Sequence, residues 1–74
     1  MSWSLGVSGT KAAVKREIQK AVSTNPYFPF AAAAAICTLI DSEPDGEGSR
    51  HFNVSTYGHA NPDGSVAQLD VQVS

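Results

Sequence analysis

Apolar and small polar residues alternate at the start of the chain. Trp3, Leu5 and Val7 are separated by single serine or glycine residues. A period of two residues is typical of a β-strand with one buried face and one face open to water. The pattern therefore predicts a strand over residues 2–8, and Gly9 interrupts it.

After Gly9 the apolar residues recur every three or four positions. They are Val14, Ile18, Ala21 and Val22. This spacing predicts an amphipathic helix over residues 11–23. Thr10 suits the N-cap position, because its hydroxyl oxygen can accept a hydrogen bond from a free N–H of the first turn. The helix should end before Pro26, since the residue that precedes a proline avoids helical dihedral angles.

A second helix follows a short aromatic connector, residues 26–29. Pro29 suits the first turn of a helix, where its missing N–H leaves no hydrogen bond unmade. The run from Ala31 to Ala35 has the highest helix propensity, and the apolar residues after it extend the predicted helix to about Asp41. This helix is apolar nearly all round, so we expect it to be covered on more than one side.

The second half of the chain has the pattern of an acidic loop followed by a hairpin. Residues 41–49 are rich in acidic and turn-forming residues. Residues 51–59 alternate loosely between apolar and polar, and Asn-Pro-Asp-Gly at 61–64 predicts a tight turn. A clean two-residue period predicts the last strand over residues 66–73. Its apolar face is predicted to consist of Ala67, Leu69, Val71 and Val73.

The predicted order of elements is strand, helix, helix, strand, strand. A three-stranded sheet covered on one face by both helices is the most economical packing for this order. The sequence therefore predicts one small two-layer α+β domain over residues 1–74. The strand order stays open, because the first strand could pair antiparallel with the second or parallel with the third.

Charge is unevenly distributed along the chain. The 74 residues carry a formal net charge of −2, and six of the seven acidic residues follow position 40. Four of the five basic residues lie in the predicted first helix, namely Lys11, Lys15, Arg16 and Lys20. The chain thus has a basic end and an acidic end. Its negative total argues against a strongly basic nucleic-acid binder, so nucleic acid is not the favoured partner.

The small size of the chain points to association. A single core of this size rarely supplies more than roughly 3–5 kcal/mol without a disulfide, a metal or a partner. One cysteine excludes an internal disulfide. Besides Cys37, the soft ligands are His51 and His59, which an extended strand separates by roughly 26 Å, too far to share an ion. We expect no metal and no cofactor, and we expect a protein partner or self-association.

Ser55, Tyr57 and His59 are the candidates for nucleophilic catalysis, because they share one face of a predicted strand. Catalysis needs a nucleophile and a base in a cleft, oriented by a third group. These residues are predicted to lie on the solvent face of a small sheet, so we interpret them as a polar surface. Gly6 and Gly9 lack the further glycine and the lysine of a phosphate-binding loop. The sequence predicts a protein that is not an enzyme and has no small-molecule substrate.

The basic face of the first helix is the best candidate for an interface. It consists of Lys11, Lys15, Arg16 and Lys20. Such a face could contact phosphates, an acidic protein patch, or the acidic loop of the next copy in a head-to-tail assembly, and a solvated helix face accounts for it equally well. The aromatic rings of Tyr27, Phe28 and Phe30 allow two interpretations, and we expect one or two of them to cap the core. The flanking prolines would present an exposed ring rigidly, so Tyr27 and Phe28 extend the candidate interface.

No segment for secretion or membrane insertion is expected. The start of the chain lacks the basic segment and apolar run of a signal peptide. The longest apolar stretch, Phe28 to Ile40, contains a proline and is shorter than the about 20 residues that a membrane span needs.

The opening segment resembles a group of phage proteins. Met1 to Lys11, which reads Met-Ser-Trp-Ser-Leu-Gly-Val-Ser-Gly-Thr-Lys and runs into an amphipathic helix, is similar to the start of small uncharacterised proteins of tailed bacteriophages. Their C-terminal halves end in alternating strands similar to Phe52–Ser55 and Val66–Ser74. The resemblance covers both ends of the chain and not residues 26–40, and it assigns no functional residue. It implies a phage source and a role in the virion or on a host protein.

These observations together predict a non-catalytic phage protein that acts by binding protein. The leading expectation is a small virion component, such as a capsid decoration or minor capsid protein. The alternative is a host-takeover protein of the host cytoplasm, which would bind and inhibit a host factor, including a nucleic-acid-associated one, through the basic helix.

Overall fold

The computed structural model describes every residue from Met1 to Ser74. Its elements in chain order are β1 (Ser2–Gly9), α1 (Lys11–Thr24), α2 (Phe30–Asp41), β2 (Phe52–Ala60) and β3 (Val66–Val73). The three strands form one antiparallel sheet, and the two helices pack on its apolar face. The predicted α+β fold is confirmed.

The central strand of the sheet is β2, flanked by β1 and β3. Trp3 of β1 lies opposite Gly58, and Asp70 of β3 lies opposite Tyr57. Of the two alternatives left open by the sequence, β1 therefore pairs antiparallel with β2. Chain direction could not decide between them, because β1 runs antiparallel to β2 and parallel to β3 in both.

A β-bulge changes the face assignment at the start of β3. His59 pairs with Gln68, but the next residue, Ala60, pairs with Val66. Ala67 is therefore an extra residue in β3 without a partner in β2. The alternation of faces shifts by one residue at this point. Val66 packs against the core, whereas Ala67 is exposed. The prediction that Ala67 lies on the apolar face is wrong for this reason.

Both ends of α1 are formed by local hydrogen bonds. The Thr10 hydroxyl oxygen accepts from the Ala13 N–H at 3.3 Å, which is the predicted N-cap. At the other end the Asn25 N–H donates to the Ala21 carbonyl at 2.8 Å before Pro26 stops the helix. The helix buries Val14, Ile18 and Ala21 of the predicted apolar stripe, and Val22 is half-buried.

Pro29 occupies the N-cap position of α2, one residue before the helix begins. Its carbonyl accepts from the N–H groups of Ala32 and Ala33 at 3.1 and 3.2 Å. The buried residues of α2 face the sheet and α1, and they are Ala32, Ala33, Ile36, Cys37 and Ile40. The helix is thus covered on two sides, and its outer face is open.

Phe28 and Trp3 link the connector to the sheet. Their ring centroids are 5.5 Å apart in an edge-to-face arrangement, and Phe28 is 2% exposed. The Trp3 indole N–H donates to Thr56 Oγ1 at 3.4 Å, and that hydroxyl donates to the Asp70 carbonyl at 2.9 Å. Placing Phe28 in the candidate interface was therefore wrong, because its ring fills the core.

Candidate protein-binding surface

Two of the predicted interface lysines contact the end of α2. Lys11 Nζ donates to the main-chain carbonyls of Glu43 at 2.6 Å and Asp41 at 3.4 Å. Lys15 Nζ forms an ion pair with Asp41 Oδ1 at 2.7 Å. The hydrogen bond to Asp41 raises the pKa of Lys15. Cations at this position also stabilise the negative end of the α2 helix dipole.

These contacts pair part of the basic end with part of the acidic end inside the chain. The basic helix meets the start of the acidic loop within one chain, so Lys11 and Lys15 already have intramolecular partners. A head-to-tail assembly through the same charges would have to break those contacts first. Arg16 and Lys20 are exposed and form no ion pair, so they remain available to a partner.

Arg50 organises the acidic loop. The Arg50 guanidinium donates to the Pro44 carbonyl at 2.8 Å, lies 3.7 Å from a Glu43 carboxylate oxygen, and stacks over the Phe52 ring. Glu47 has a φ of 64°, in the left-handed region. The loop therefore has its own cation and a strained tip.

One of the two predicted connector rings is exposed, and the other is buried. Tyr27 is 48% exposed, as an interface residue should be, but Phe28 is buried. The most exposed ring is Phe30, at 76%. Phe30 was not among the predicted interface residues. The helical spacing gives no signal for its exposure, because Phe30 lies three residues before the buried Ala33, a separation that places two residues near one face of a helix.

The outer face of α2 is apolar and carries no charge. Its exposed residues are Phe30, Ala31, Ala34, Ala35, Thr38 and Leu39. No charged residue lies between Phe30 and Ile40. A groove of about 170 Å³ between the helices continues this face, and it is lined by Gln19, Val22, Phe30, Ala33, Ala34 and Cys37. Burial raises the pKa of the Cys37 thiol, which keeps it protonated and apolar in character.

The opposite face of the molecule is the uncovered side of the sheet. Its side chains form polar rows across the strands, such as Ser4, Tyr57 and Asp70. An open depression of about 480 Å³ crosses all three strands where Gly6 has no side chain. This face is wide, shallow and almost uncharged.

The catalytic candidates lie on that open face. His59 is hydrogen-bonded to the ammonium group of Met1, with 3.0 Å between Nε2 and the nitrogen. It makes no hydrogen bond to the hydroxyls of Ser55 or Tyr57. The three side chains therefore share a surface without forming a nucleophile and base pair.

The potential metal ligands are also dispersed. No three His, Cys, Asp or Glu side chains come together as a metal site would require. Cys37 is in the core beside α1, while His51 and His59 are exposed on the sheet side.

Comparisons of the chain with models of known protein families, with curated proteins and with solved structures found no match. Neither helix combines the length and the continuous apolar character needed to cross a bilayer.

Proposed function

We propose that this chain is a non-catalytic phage protein that binds another protein through the outer face of α2, and that it serves as a small virion component. The observation that supports this proposal best is the uncharged outer face of α2, on which Phe30 is 76% exposed and Leu39 is 48% exposed. Contiguous exposed apolar surface on a small domain is typical of a protein-binding site.

The energetic argument concerns the exposed side chains. Burying a large apolar side chain that was in water contributes about 2 kcal/mol. In the isolated chain Phe30 leaves most of that contribution unused, and Leu39 leaves about half. Nine positions separate Phe30 from Leu39, about 180° around the helix, so the two side chains lie at opposite edges of the outer face. The alanines between them add little steric bulk, so a partner surface can approach the helix backbone closely.

A virion role suits a contact of modest strength. The 12 residues of α2 form a helix about 18 Å long, so one of its faces is smaller than the roughly 800 Å² that each partner buries in a stable complex. A repeating particle surface can offer one copy several contacts at once, and contacts made together by one copy reinforce each other. The phage resemblance supports the same role.

The alternative function concerns Arg16 and Lys20. Both are exposed, and neither has a partner among the acidic residues that engage Lys11 and Lys15. A host-takeover protein could use them to hold an acidic factor in the host cytoplasm. Reversing both charges (Arg16→Glu with Lys20→Glu) would abolish capture of that factor and leave particle incorporation intact.

The test of the main proposal compares two exposed rings. Phage lacking the gene are complemented with wild type, with Phe30→Asp, or with Tyr57→Asp, whose ring is 49% exposed on the opposite face. Mass spectrometry then measures the copies per purified particle. We expect wild type and Tyr57→Asp in the particles and roughly tenfold less Phe30→Asp, the effect of about 1.4 kcal/mol.

Circular dichroism must show that both variants are folded. Absence of the wild-type chain from purified particles would contradict the virion role. Equal incorporation of Phe30→Asp and wild type would contradict the proposed surface.

A further inference from the structure

The outer edge of β3 has free backbone hydrogen-bonding groups. Asn53 and Ser74 exchange two N–H to carbonyl bonds, each of 2.9 Å. In an antiparallel pair such residues alternate with residues whose backbone groups point away from the neighbouring strand. The N–H and C=O groups of Leu69, Val71 and Val73 therefore point outward, and none of them bonds to a loop or a side chain.

The core beneath this edge is incompletely covered. The side chains of Leu69, Val71 and Val73 face the core but are only partly buried. Leu39 follows Cys37 by two residues, which is about 200° around the helix. Because Cys37 faces α1, with Sγ 4.0 Å from the Lys15 carbonyl, Leu39 lies on the side of α2 away from α1. It is 48% exposed there.

The layer of two helices is wider than the three-stranded sheet by about one strand. Helices pack about 10 Å apart and strands about 4.8 Å apart, so two helices cover roughly four strands. This sheet has three. α1 lies over β1 and β2, whereas α2 lies nearest β3. The surplus width of the helix layer is therefore beyond β3, beside Leu39.

We propose that the outer edge of β3 accepts an extended segment of the protein partner as a fourth strand. This inference rests on the proposed function and adds a second contact between the chain and the same protein partner. The segment would satisfy the free groups of Leu69, Val71 and Val73 and place alternate apolar side chains against Leu39. Asp70 is the one charged residue on the open face of the sheet. The partner's side chain beside Asp70 is therefore lysine or arginine.

A second copy of the chain fits this edge poorly. Pairing β3 with the β3 of another copy would bring two α2 helices together over adjacent strands, where each helix needs about 10 Å. It would also place two Asp70 carboxylates on one narrow sheet face. A single extended segment with basic residues avoids both problems.

The experiment uses a capped peptide of alternating lysine and valine as the probe. Amide hydrogen exchange of the full chain is measured by NMR with and without peptide. We expect saturating peptide to slow exchange at Leu69, Val71 and Val73 by roughly tenfold or more. The amides of Ser4 and Gly6, on the free edge of β1, should not change. A peptide of alternating glutamate and valine should protect less, because it repels Asp70.

Two variants locate the contact on the core side of the edge. Leu39→Lys places a charge against the added strand, and we expect it to abolish protection. Ala12→Lys, at an exposed position of α1, should leave protection unchanged. No protection at millimolar peptide, equal protection on β1, or self-association through β3 in sedimentation would each overturn the inference. Those outcomes leave particle incorporation unaffected, whereas failure of the proposed function removes the chain from particles.

Discussion

Gly58 lies where β2 passes beneath the Trp3 ring. A Cβ atom built at this position overlaps the Gln68 carbonyl oxygen and the six-membered ring of Trp3, with Trp3 Cη2 at 2.6 Å. Real Cβ atoms do not approach heavy atoms this closely. The substitution Gly58→Ala therefore forces Trp3 or the β3 backbone to move.

The cost follows from what holds Trp3 in place. The ring is 3% exposed, packs edge-to-face on Phe28, and donates to Thr56. Overpacking of a filled core costs about 1–3 kcal/mol, and loss of an aromatic pair adds about 0.5–1.5 kcal/mol. We expect Gly58→Ala to lower the free energy of unfolding by about 3 kcal/mol, which corresponds to roughly 12–24 °C in Tm for a domain of this size.

Urea denaturation followed by the fluorescence of the single tryptophan measures this loss. Gly6→Ala is the matched control, because a Cβ at Gly6 meets nothing within 4 Å. Trp3→Phe removes the ring atoms that face Gly58, so Gly58→Ala should cost less in that background. If Gly58→Ala and Gly6→Ala are equally stable, the packing argument is refuted.

Three further outcomes are expected. Thr56→Val should cost about 2 kcal/mol in thermal or urea denaturation, because it leaves the buried Trp3 indole N–H without its partner and removes one hydrogen bond to the Asp70 carbonyl; a neutral effect would contradict it. Gly6→Thr should raise stability by about 0.5–1 kcal/mol, since a β-former replaces glycine in open space at a strand position; a loss would show that the site is crowded. Burial raises the pKa of Cys37, so its rate of alkylation by iodoacetamide should rise only at higher pH than that of a free peptide thiol. The native state should correspondingly lose stability as pH rises through the ordinary thiol range, because the raised pKa favours the protonated form; a rate profile equal to that of the denatured chain would contradict both statements.

Local signals were sufficient to predict the elements of the fold. The strict alternation from Trp3 to Val7 predicts a strand. Thr10 and Pro26 mark the two ends of the first helix, because N-capping and the effect of proline act within a few residues. The glycine of the hairpin turn, Gly64, adopts the positive φ of 88° that its sequence position implies. Interactions within a few residues therefore determine the order and type of the elements.

The surface assignments depended on tertiary contacts and were harder to predict. Phe28 and Phe30 have the same side chain two residues apart, and which ring is buried depends on Trp3, more than twenty residues earlier in the chain. Lys15 was predicted as free surface, but α2 brings Asp41 to within 2.7 Å. Ala67 changed faces because a bulge is a property of two paired strands rather than of one.

Protein recognition through the outer face of α2 is the central claim, and hydroxyl-radical footprinting tests it directly. Side-chain oxidation is quantified by mass spectrometry in the free chain and in purified particles. We predict that Phe30 and Leu39, both exposed in the isolated chain, lose most of their reactivity in the particle, while Tyr57 on the open sheet face keeps its own. Unchanged reactivity of Phe30 and Leu39 in chains that are bound to the particle would contradict the account.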